Sequence, residues 1–169
     1  MKILSIHILH KRPGKSIFLK SVYQIDFINY FKRGYFQQGL VFSARTTIDK
    51  IKKGQINRIQ PEDFPDLFVF GHVNDSNIGV VIICDSQYPE SAACRIILEI
   101  ETKFTAVYSP EFFNNYSEDQ DMKFPELDVM IKKYQDPQEA DKLIKIEKDL
   151  DEIQTTLHKT MNDLMDRGE

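Results

Sequence analysis

Residues 2–9 place Leu4, Ile6 and Ile8 on one side of an extended segment, the period-two pattern of a strand. Pro13-Gly14 supplies a turn, and Ser16 to Tyr23 follows as the hairpin partner. Over residues 36–53 the period changes: Phe36, Leu40, Ala44, Ile48 and Ile51 recur at helical spacing. Lys50, Lys52 and Lys53 complement the negative helix end, and Gly54 stands where a left-handed cap belongs. Three short strands are predicted next, at 56–59, 67–73 and 78–84, with Asn74 to Asn77 turning the last pair. Pro89 opens a helix to about Thr105, whose inner face carries Ala92, Ala93, Ile96, Ile97, Ile100 and Phe104. The order β-β-α-β-β-β-α, with hairpins in place of alternating βαβ units, predicts an α+β fold: an antiparallel sheet packed by helices.

Residues 109–125 are polar and predict a surface loop or linker, followed by a short helix around Leu127, Met130, Ile131 and Tyr134. Asp136-Pro137-Gln138-Glu139 combines an N-cap, a proline at N1 and a carboxylate at N3, a strong helix start. From there the apolar positions step by three and four: Leu143, Ile146, Leu150, Ile153, Leu157, Thr160, Leu164, Arg167. An average step of 3.5 keeps one seam of a helix facing a partner, so residues 143–167 read as a coiled-coil strand. Leu at the a positions with Ile at the first d positions favours three or four strands over two. An arginine in that seam requires acceptors on the partners, since an unpaired buried charge costs several kcal/mol. The same spacing also suits an amphipathic helix lying on its own domain, with Arg167 at an exposed end.

Charge sharpens the division. The chain carries a net −4, but residues 136–169 hold ten acidic side chains against five basic ones, leaving the remainder near +1. Neither part has the basic footprint of a nucleic-acid binder. Cys84 and Cys94 fit neither a disulfide framework nor metal spacing and read as small core residues of a reducing compartment. No run of about 18 apolar residues exists, and the first segment turns polar at His10.

Catalytic and metal sites find no pattern: there is no phosphate loop, no nucleophile elbow, and His7, His10, His72 and His158 are scattered. Acyl acceptance by Cys84 or Cys94 would need an accessible thiolate. One residue breaks the rule of its helix. Phe42 falls opposite the Phe36-Leu40-Ala44-Ile48 stripe, on a face shared with Gln38, Arg45 and Asp49, where an apolar side chain suggests docking.

Several stretches together resemble one family. Leu150-Asp151-Glu152, His158-Lys159-Thr160-Met161 and Asp166-Arg167-Gly168-Glu169 look like the first half of an R-SNARE motif with Arg167 at the central ionic layer. The strand order is similar to that of a longin domain, the profilin-like fold that precedes some R-SNARE motifs. Tyr134-Gln135-Asp136-Pro137-Gln138-Glu139-Ala140-Asp141, with Met1-Lys2-Ile3, Gly79-Val80-Val81-Ile82, Asp85 and Tyr88-Pro89, resembles the Ykt-type longin R-SNAREs over essentially the whole chain. The match is weakest over 109–126.

The resemblance implies a longin domain over 1–108, a linker with a short helix over 109–136, and the N-terminal half of an R-SNARE motif over 137–169. It implies a fusion protein with no enzymatic centre, joining three Q-SNARE helices in a four-helix bundle and taken apart by the SNARE disassembly machinery. It also implies closure, in which the SNARE segment folds back on the longin domain with Phe42 in the docking surface. Members of the family continue into a second half-motif and a prenylated, palmitoylated C-terminal Cys box, placing them in the cytoplasm and peripherally on Golgi, endosomal or vacuolar membranes. No other cofactor is implied. Stopping at Glu169 reads as a truncation at the central layer. A longin SNARE with a C-terminal span, a longin-type scaffold with a permanently packed tail helix, and an acyltransferase are the alternatives.

Overall fold

A computed structural model describes residues 1–145 and the backbone of 155–158. Six strands form one sheet: β1 (Ile3–His10), β2 (Ile17–Tyr23), β3 (Ile56–Ile59), β4 (Leu67–Val73), β5 (Ile78–Asp85) and β6 (Thr155–His158). Their order is β2-β1-β5-β4-β3-β6. The first five pair antiparallel, whereas β6 runs parallel to β3. Helix α1 (Tyr30–Lys50) covers one face of the sheet, and α2 (Glu90–Val107) and α3 (Pro125–Lys133) cover the other, with α4 (Pro137–Lys145) packed on α2. This is the expected α+β architecture, an antiparallel sheet packed by helices.

Burial on both faces explains the long apolar runs in the central strands. In β5, Ile78, Val80, Ile82 and Cys84 enter the cluster under α2 and α3. Val81 and Ile83 point to the cluster under α1, with Leu40, Ala44, Ile48 and Ile51. Helix α1 can approach closely because two facing sheet positions lack side chains. A Cβ at Gly79 would lie 2.7 Å from Ile48 Cδ1, and one at Gly71 2.8 Å from Thr47 Cγ2.

Strand β1 departs from the strict alternation that put Leu4 beside Ile6 and Ile8. Its register with β5 shifts between Ile3 and Ser5, so Leu4 joins Leu9 on the α1 side while Ile3, Ile6 and Ile8 face α2. A bulge reverses the pleat locally, and sequence period alone does not show one. His7 also lies on the α1 side, edge-on to Phe18 and Tyr23. Its ring nitrogens reach Ser21 Oγ at 2.8 Å and Ser5 Oγ at 2.9 Å, and burial lowers its pKa to about 3. Across the other face, His72 on β4 meets Glu101 on α2 at 2.6 Å.

Helix α1 begins six residues before the apolar repeat announces it. Asn29 caps it, accepting from the Phe31 N–H at 3.0 Å. The stretch after α2 is packed where a surface linker was expected. It holds a 3-10 turn (Pro110–Phe112), and Phe113 and Phe124 are buried beside Phe104. Arg12 pins it by donating to the carbonyls of Phe113 (2.9 Å), Asn114 (3.3 Å) and Tyr116. It also covers the outer edge of β2: Gln120 N–H donates to Phe18 O at 2.7 Å, Met122 N–H donates to Leu19 O at 2.8 Å, and Asp119 accepts from Phe18 N–H at 3.0 Å. Polar composition concealed two aromatic anchors and this edge role.

Two measurements check this account. Gly79→Ala should cost about 1–3 kcal/mol in denaturant unfolding, because the new methyl drives Ile48 off its seat; a neutral outcome would mean that α1 shifts freely. Because the folded pKa of His7 lies below the unfolded value of about 6.5, the unfolded chain binds the extra proton between pH 6.5 and about 3. Stability should therefore fall as pH drops through that window, by up to about 1.4 kcal/mol per pH unit more in the native protein than in His7→Gln.

Candidate functional site

The tail leaves the domain through a hydrogen-bonded root. The Gln135 side chain accepts from Ile3 N–H at 2.9 Å and donates to Ile3 O at 2.7 Å, standing in for a neighbouring strand at the start of β1. Beside it, Tyr88 O–H donates to Tyr134 O at 2.8 Å and Tyr134 O–H donates to Glu99 at 3.1 Å. Burial raises the pKa of both phenols, so each stays protonated and able to donate. Asp136 then starts α4: its carboxylate accepts from Gln138 N–H at 2.9 Å and its carbonyl from Glu139 and Ala140 N–H at 3.1 Å. The sequence exposed the Asp136-Pro137 start. It did not expose Gln135, whose partner lies 132 residues away.

From this root α4 lies along α2. Ala140 is buried, and Leu143 and Ile144 rest against the α2 cluster. Leu143, the first heptad position, borders a shallow groove with Arg95, Leu98 and Thr102. Further along, residues 155–158 form β6 on the outer edge of β3, with Ile56 opposite Thr155, Asn57 opposite Thr156, Arg58 opposite Leu157 and Ile59 opposite His158.

Over 155–158 this differs from the helix expected across 143–167. Leu157 belongs to a strand, so the seam is not a continuous helix in this chain. The physical reason is the absence of partners: a lone amphipathic helix is marginal in water, whereas the edge of β3 offers unpaired backbone groups to an extended segment containing β-branched Thr155 and Thr156. Ile146, Leu150, Ile153, Thr160, Leu164 and Arg167 lie outside the described residues.

Phe42 stands where the helical wheel placed it, on the outer face of α1 and 64 % exposed. It shares a shallow groove with Gly34, Gln37, Gln38, Val41, Lys15 and Arg45. Arg45 is tied to Asp119 at 2.5 Å and stacks over Phe18. The described tail elements lie elsewhere, α4 on α2 and β6 on β3, so Leu143 and Leu157 meet the domain away from Phe42.

The groups considered for chemistry are placed for structure. Cys84 and Cys94 are buried, and burial pushes the Cys84 thiol up, away from the thiolate that acyl transfer needs. Among the described residues no three His, Cys, Asp or Glu side chains gather as a metal site. Among them, too, no helix is long and apolar enough to cross a membrane.

Comparison with known proteins agrees with this architecture. A family model described as Longin, a Regulated-SNARE-like domain, matches residues 26–131. Over 172 aligned residues, covering all of this chain and 84 % of each relative, it is similar to proteins called "Synaptobrevin homolog YKT6": 30 % identical to that of Saccharomyces cerevisiae, 29 % to that of Eremothecium gossypii and 28 % to that of Yarrowia lipolytica.

The tail root yields one prediction. Gln135→Ala strands the Ile3 N–H and C=O in a buried position and should cost about 1–3 kcal/mol. Amide exchange in α4 should quicken with it; unchanged exchange would mean that α4 is held independently of Gln135.

Proposed function

Since the chain belongs to the longin family, among the Ykt-type synaptobrevin homologues, we propose that it is an R-SNARE of intracellular membrane traffic whose longin domain holds its own SNARE segment closed. The observation that carries this reading is the β3–β6 ladder. Leu157 is a heptad position, and a backbone in the β conformation cannot at the same time be a turn of a four-helix bundle. Binding to the longin domain and binding to partner helices therefore exclude each other, and the partners shift the population by their preference for the open form.

In the open form, Leu143, Ile146, Leu150, Ile153, Leu157, Thr160 and Leu164 would supply layers against three Q-SNARE helices. Arg167 would donate to acceptors from all three in the central layer, setting register more than stability. Disassembly machinery would return the segment to the domain. A prenyl or palmitoyl anchor would hold it to the cytosolic face of Golgi, endosomal or vacuolar membranes. Phe42 would belong to the surface onto which the SNARE segment folds back. A scaffold role with a permanently packed tail draws on the same ladder, and one experiment separates the two.

Asn57 and Thr156 are register partners, and Thr156 lies outside the heptad seam. A chain carrying Asn57→Cys and Thr156→Cys should be locked by oxidation and should then fail to assemble with three Q-SNARE helices, as read by helicity and gel filtration. Reduction should restore assembly. Equal assembly in both redox states would remove the closure mechanism, and failure in both, with the native chain also inert, would favour the scaffold.

A further inference from the structure

The first turns of α1 carry aromatic rings that the fold does not use. Phe31 is 91 % exposed, Tyr35 82 % and Tyr30 75 %. Their position is not slack: the Asn29 cap fixes the start of the helix, Lys32 N–H donates to Asn29 O at 2.9 Å, and the Tyr30 and Phe31 rings meet edge to face at 5.7 Å. Rings exposed to this extent project from the domain surface, forming a ridge and not the wall of a groove. A ridge suits a surface into which it can sink more than a partner that must close around it.

The ridge's own helix is one-sided in charge, with no acidic residue in its first turn, while Asp63 and Asp66 lie across the groove beside Phe36. Between Gln24 and Ile48 the chain holds Lys32, Arg33 and Arg45 against one carboxylate, Asp26, in a protein whose net charge is −4. Arg45 is engaged with Asp119, and Arg33 leans over the Tyr30 ring while donating to the carbonyls of Asp26 and Ile28 at 3.1 Å. Lys32 is exposed beside Phe31. Tyrosine and phenylalanine rings flanked by an exposed ammonium match the boundary between acyl chains and anionic headgroups: rings settle at the boundary, and the cation pairs with phosphate or carboxylate above it.

We infer that Tyr30, Phe31, Lys32 and Tyr35 form a contact for an anionic phospholipid surface. The helix that carries the ridge packs on β1, β4 and β5, whereas the described tail packs on α2 and pairs with β3. The inference does not depend on bundle assembly, and its failure would leave the redox-lock experiment untouched.

The test is sedimentation of the whole chain with phosphatidylcholine vesicles, with and without about 30 % phosphatidylserine. The native chain should bind the anionic vesicles and release them at high salt. Phe31→Ser with Tyr35→Ser should weaken binding by about tenfold or more. Lys32→Ala should weaken it on anionic vesicles only. Val129→Ser, at a 62 % exposed site on α3, should change nothing. Thermal unfolding of each variant confirms that exposed positions were altered without loss of the fold. No binding by the native chain, or equal binding by the double variant, would overturn the inference. So would a concentration-dependent dimer that the double variant abolishes, or faster amide exchange over 137–169 with vesicle binding unchanged, since these make a second copy or the tail the occupant.

Discussion

A sheet can bury its faces under helices, but its edge strands still carry backbone N–H and C=O groups that an extended segment can pair with. This chain covers its two edges by different means. On β2 the cover is the segment around Asp119 to Met122, anchored in the core by Phe113 and Phe124 and pinned by Arg12. On β3 the cover is β6, drawn from the tail. The first is built into the domain, and the second belongs to the segment that, in the proposed function, is released to bind elsewhere. The proposed function follows from that asymmetry.

Ile56 and Ile59 of β3 are buried in the two face clusters. Losing the β3–β6 ladder exposes backbone groups that water can satisfy. What must stay is the close seat of α1 over Gly71 and Gly79 and the root at Gln135 and Tyr88, which fixes where the tail begins. A rigid root with a removable latch allows release without unfolding.

The face patterns were legible in the sequence because each element obeys one period: β5 alternates, and the inner face of α2 recurs at three and four. Legibility failed where a contact is long-range or local geometry breaks the period. The β1 bulge moved Leu4 to the other face, the polar stretch after α2 concealed Phe113 and Phe124, and Gln135 bonds a residue at the opposite end of the chain. Phe42 was legible as an exception, since its face is set by the helix, but its occupant is not a property of α1 alone. The heptads were legible as a pattern, while Leu157 lies in a strand here. Periodicity reports the partner for which a segment is suited, and here the nearest available partner is a strand.

Magnitudes are compatible with the two states that the proposed function requires of one segment. A net gain of about 0.5–1.5 kcal/mol per hydrogen bond gives a short ladder a few kcal/mol, more than an isolated helix of this length gains in water, where nucleation is costly and the seam faces solvent. In a bundle the balance reverses, because each Leu or Ile layer that is fully buried gains about 1.5–3 kcal/mol and several layers form together. Shifting a two-state population from about 1:99 to 99:1 takes about 5.5 kcal/mol of differential binding, which a few layers supply. A longer strand or a hydrophobic latch would hold the segment against its partners, and no latch would leave the seam exposed. Four residues paired through backbone on β3 lie between those limits.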